Sequence, residues 1–70
     1  MIHIGKHIED VLHQQGRSIT WFANQLCCTR GNIYKIFEKN SIDIYLLWRI
    51  SKTLDHDFFS DLSSKLNEKS

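Results

Sequence analysis

The stretch Ile19 to Phe37, ITWFANQLCCTRGNIYKIF, constrains the chain more than any other. Its apolar residues fall at Ile19, Phe22, Ala23 and Leu26 and again at Ile33, Ile36 and Phe37, a helical spacing broken once in the middle. Two short helices joined by a tight turn follow from that break. Neither can bury its stripe alone, so the flanking segments must supply the remaining core. The second helix keeps a polar face for something outside the protein.

The flanks are patterned to do this. Ile4, Ile8, Val11 and Leu12 stand at i, i+4, i+7 and i+8, predicting a helix over residues 4–15 that Gly16 stops. Ser18 is placed to cap a helix over 19–26 and Thr29 to cap one over 30–38, with Cys27 to Thr29 as the turn between them. After the turn chemistry of Asn40 and Ser41, with Ser41 or Asp43 as the cap, Leu47, Ile50, Ser51 and Leu54 mark a fourth helix over 43–54. Phe58, Phe59, Leu62 and Leu66 mark a fifth over 57–66, capped by Asp57, and the stretch from Asn67 to Ser70 has nothing left to bury. Seventy residues with no proline and 41% apolar content suit one all-α domain, with a net stability of roughly 5 kcal/mol.

Several classes are disfavoured. No apolar run approaches the roughly 20 residues of a membrane span, and MIHIGKHIED lacks the order of a secretory signal. Adjacent Cys27 and Cys28 are poorly disposed to form a structural bridge, which fits a reduced, cytoplasmic setting. With no paired carboxylates at a plausible spacing and no phosphate-binding glycine loop, an enzyme is not expected. The two cysteines read as small, partly buried residues in a turn, with redox sensing or metal binding as the alternative. His3 and His7, one turn apart, read as surface histidines rather than a metal pair, so no metal and no cofactor are expected. Trp21 and Trp48 lie off the main stripes, as rim covers or partner contacts, and Phe58 and Phe59 cannot both face fully inward.

The net charge is only +1, but residues 17–39 carry Arg17, Arg30, Lys35 and Lys39 against Glu38 alone. On the third helix, Gly31, Lys35 and Glu38 fall opposite Ile33, with Asn32 and Tyr34 at the flanks, taking about 100° per residue. A small residue at Ala23, the apolar Phe22 before it, a turn at Cys27 to Thr29, and Ile33 with Ile36 together fill the requirements of a helix-turn-helix. The segment Gly16 to Phe37 resembles the helix-turn-helix of the lambda-repressor and Cro-like (XRE) family of bacterial and phage regulators. The resemblance continues more loosely through SIDIYLLWRISKTL and DHDFF. WFA, CC, NIYKIF and HDFF are similar to small single-domain members from Bacteroides-type bacteria.

That resemblance implies a five-helix, lambda-repressor-like domain whose third helix enters the major groove of double-stranded DNA. It implies that Arg30, Gly31, Tyr34 and Lys35 read bases, that Asn32 lies beside phosphates, and that Ser18, Thr20 and Thr29 hold the backbone. The chemistry agrees, since Arg can donate two hydrogen bonds to guanine and Lys supplies a point charge. The expected function is a sequence-specific transcriptional regulator, with a homodimer allowed by the two-fold symmetry of many such sites. The alternative is a protein-interaction or antitoxin-like module that keeps the fold with weak DNA binding. Cys27 and Asp55 stand where the family usually has glycine, and Glu38 places a carboxylate on the outer face.

Overall fold

A computed structural model describes residues 3–67, which form five helices and no strand. These are α1 (Ile4–Gln14), α2 (Ile19–Gln25), α3 (Arg30–Phe37), α4 (Ile44–Leu54) and α5 (Phe58–Asn67). The helices expected from the periodicity are all present, with ends shifted by one residue. Asp43 and Asp57 lie outside α4 and α5 as caps: their carboxylates accept from Leu46 N–H at 2.9 Å and Ser60 N–H at 3.0 Å. Of the stretch Asn67 to Ser70, expected to bury nothing, Asn67 is exposed and residues 68–70 lie outside the described residues.

Three helices end in the same way. Gly16 (φ 70°), Cys27 (φ 56°) and Asp55 (φ 50°) adopt the left-handed conformation directly after α1, α2 and α4. In each case the next residue donates back across the helix end. Arg17 N–H reaches Leu12 O at 3.2 Å, Cys28 N–H reaches Ala23 O at 2.9 Å, and His56 N–H reaches Ser51 O at 3.0 Å. Carbonyls left open by each helix terminus are thereby satisfied. Glycine adopts this conformation without strain, whereas at Cys27 and Asp55, where the family usually has glycine, a Cβ is forced into it.

The core is one cluster to which every helix contributes. Ile8, Leu12, Phe22, Ile33, Ile50, Leu54 and Phe58 are its most deeply buried side chains, and among the described residues no polar residue is buried as a whole, although the Ser51 hydroxyl oxygen is out of solvent contact. Phe58 is fully buried while Phe59 packs at the edge, as adjacency on one helix requires. Leu66 departs from the expected fifth stripe. At 84% exposure it does not join the core.

Gly5 brings α1 against α3. A Cβ built on Gly5 would stand 2.6 Å from the carbonyl carbon of Phe37 and still closer to the carbonyl oxygens of Ile36 and Phe37. Gly5 N–H also donates to Lys39 O at 3.0 Å, closing the C-terminal end of α3. The backbone of α1 thus rests directly on the end of α3, which also packs against α2. No helix among the described residues is long and apolar enough to cross a membrane.

Candidate functional site

The outer face of α3 is built from the cap outward. Thr29 holds an extended backbone and its hydroxyl accepts from Asn32 N–H at 3.3 Å, which starts the helix cleanly at Arg30. Ile33, Ile36 and Phe37 are then buried, so their period turns Gly31, Tyr34 and Lys35 to solvent. Arg30 and Asn32 are also exposed, and the first turn carries no acidic residue. Glu38 follows as the C-terminal cap, about 12 Å along the axis from Arg30 at 1.5 Å per residue. The repulsive carboxylate is therefore at the far end of the helix from Arg30 and Gly31, but within one turn of Tyr34 and Lys35.

All eight residues singled out from the sequence are exposed: Ser18, Thr20, Thr29, Arg30, Gly31, Asn32, Tyr34 and Lys35. Two of them also carry local structure. Ser18 Oγ accepts from Trp21 N–H at 2.9 Å, as Thr29 does for α3, and each hydroxyl retains its own O–H to donate elsewhere. Gly31 has open space around it: a Cβ at this position would have Thr29 Oγ1, at 3.7 Å, as its nearest neighbour, so a partner backbone can approach there. Tyr34 is half exposed with its ring edge-on to Phe37, 6.4 Å between centroids, which fixes its direction. Arg30 and Lys35 take part in no ion pair among the described residues.

A groove between α3 and α4 adds positive charge beside this face. It is lined by Leu26, Asn32, Lys35, Lys39, Leu46 and Arg49. Arg49 reaches across it from α4 to donate to Leu26 O at 3.2 Å, a cation set against the C-terminal end of α2, where the helix dipole favours it. Arg17, by contrast, lies over the Trp21 ring at 4.3 Å, so part of the charge counted in residues 17–39 is engaged by an aromatic face. Trp21 itself packs on the core and acts as a rim cover. Trp48 does not: it is 48% exposed, stacks on Tyr45 at 6.0 Å and lies beside Ile44, with Lys52 over its ring.

Cys27 and Cys28 are both free, the first exposed and the second partly buried in the turn. His7 differs from its expected place as a simple surface histidine. Its Nε2 and that of His56 both lie 2.6 Å from the same oxygen, Asp61 Oδ2, in a half-buried cluster. The His7 hydrogen bond is the largest influence holding the Asp61 carboxyl below its ordinary value, with His56 adding to it and partial burial opposing it. The sequence carried no periodic signal for this convergence, since His7 and Asp61 are 54 residues apart. No protein-family model matches the chain, and neither does any curated protein or solved structure.

Proposed function

We propose that the protein is a sequence-specific DNA-binding transcriptional regulator of lambda-repressor-like architecture that docks α3 in the major groove. One observation carries this reading: α3 is packed from behind by α1 and α2 while Arg30, Gly31, Tyr34 and Lys35 all face solvent without an acidic neighbour in the first turn. Arg30 opens the helix and reads guanine, Gly31 lets the backbone approach, and Tyr34 and Lys35 extend the contact one turn further. Ser18, Thr20, Thr29 and Asn32 hold phosphates, assisted by the Lys35, Lys39 and Arg49 groove. A homodimer places two such helices on a palindromic site.

Selection of bound duplexes from a random pool tests the proposal. A palindrome with half-sites about one helical turn apart is expected, with steeply salt-dependent binding. Arg30→Ala should lose about 5- to 100-fold in affinity for the selected site, the equivalent of roughly 1–3 kcal/mol, and much less for random duplex. Asn32→Ala should weaken both alike. Equal loss for both duplexes in Arg30→Ala would remove its reading role.

The exposed Ile44, Tyr45 and Trp48 on α4 favour a second reading, a protein-interaction or antitoxin-like module. Absence of duplex binding at micromolar protein and low salt would select it over the first.

A further inference from the structure

We propose that His7, His56 and Asp61 form a binding site for a divalent transition-metal ion, with zinc as the representative, that staples α5 and the α4–α5 turn to α1. The three donors come from three places in the chain: His7 from α1, His56 from the segment after α4, and Asp61 from the first turns of α5. One ligand atom from each lies within 4.8 Å of the others, and Asp61 Oδ2 is 2.6 Å from both imidazole Nε2 atoms. Two imidazoles and one carboxylate are a donor set that zinc takes with bonds of about 2.0–2.2 Å. A tetrahedral ion at those lengths needs its ligand atoms about 3.3 Å apart, so the two N···O separations must open by about 0.7 Å. Rotation of the side chains suffices, because all three are about one third exposed rather than locked in the core.

The surroundings support the same site. The Phe58 ring is fully buried beneath it, edge-on to His7 at 5.5 Å and tilted against His56 at 4.6 Å between centroids. This apolar floor backs both imidazoles on one side, and their partial exposure leaves the site access to solvent, where water completes the coordination. The ion then replaces two hydrogen bonds with three coordinate bonds joining elements far apart in sequence. Such a staple raises stability because binding occurs only when the chain is folded.

The test is titration of the purified full chain with zinc alone, followed by calorimetry and thermal unfolding, with cobalt(II) absorption to identify the donors. The native chain should bind one ion and unfold at higher temperature with it. Its cobalt spectrum should lack a thiolate charge-transfer band, which separates this site from Cys27 and Cys28. His56→Ala and Asp61→Asn, each confirmed as helical by circular dichroism, should weaken binding by at least about tenfold and abolish the thermal shift. His3→Ala, on a residue outside the cluster, should bind as the native chain does. Should one variant fail to fold, the other carries the comparison, and the nitrogen NMR shifts of His7 and His56 on zinc addition provide a reading on the native chain itself. Absence of zinc binding, unchanged affinity in the variants, unmoved imidazole shifts, or a thiolate band would each overturn the proposal.

Discussion

The two sides of α1 hold the molecule together by different means. On one side, Gly5 lets backbone rest on backbone, and α3 is positioned by shape. On the other, two residues further along and about 200° around the helix at 100° per residue, His7 meets Asp61 and His56 and holds α5 by polar chemistry. The first contact has one solution, since two main chains leave no room for a side chain. The second is adjustable, because it is made by side chains about one third exposed rather than by backbone. The rigid side supports the candidate DNA-reading helix, and the adjustable side supports α5.

The comparison is broken most severely at Gly5. Alanine there would gain up to about 1 kcal/mol of helix propensity, but its methyl would meet the backbone of Ile36 and Phe37, which cannot rotate away. Overpacking of this kind costs about 1–3 kcal/mol or more, and the accompanying shift of α1 stretches the bond from Gly5 N–H to Lys39 O. A net loss of about 2 kcal/mol is expected for Gly5→Ala. Thermal unfolding checks it, and an unchanged midpoint would mean that α1 and α3 are not in close contact.

The polar side should respond less. In metal-free protein, Asp61→Asn should cost about 1 kcal/mol at neutral pH, the scale of a partly solvated hydrogen-bond network. Its signature is the pH dependence. Because the folded state lowers the Asp61 carboxyl, its contribution is present above the unfolded value near 3.9 and is lost as pH falls through the lower folded value. Native and Asp61→Asn stabilities should therefore converge in acid, below about pH 4. Urea unfolding across that range distinguishes this from a purely steric role, for which the gap would stay constant.

The smallest effect extends the glycine argument from α1 to α2. Both helices end on a left-handed residue, but α1 has Gly16 and α2 has Cys27. Left-handed backbone costs a side-chain-bearing residue roughly 1–2 kcal/mol, and the extra freedom of glycine in the unfolded chain returns about 0.5–1 kcal/mol of that. Cys27→Gly should then stabilise the protein by about 0.5 kcal/mol, seen as a small rise in the urea midpoint. A fall would mean that the Cys27 side chain makes a contact worth more than the strain it bears.

Much of the fold was legible because its signals are short-range. Ser18, Thr29, Asp43 and Asp57 act within three residues of their own positions, and the apolar stripes repeat within a single turn. The exposed face of α3 could be read for the same reason, since burying Ile33, Ile36 and Phe37 leaves only one direction for Gly31, Tyr34 and Lys35. Gly5 left a fainter mark: a glycine within the Ile4 to Leu12 stripe is a poor helix residue unless another chain segment needs the space. His7 left none, and Leu66 carried a misleading one, because a stripe shows which way a side chain points but not whether a neighbour is there to meet it.

By itself, then, the sequence determined the five helices, the caps at Ser18, Thr29 and Asp57, the stop at Gly16 and, Leu66 apart, the core-facing side of each helix, all of which depend on interactions spanning a few residues. Only the tertiary structure decided that α1 touches α3 through bare backbone, that Trp21 covers the rim while Trp48 stays exposed, and that His7, His56 and Asp61 meet. Those outcomes depend on how separate helices pack, and a contact between residues 54 apart has no local periodicity to announce it.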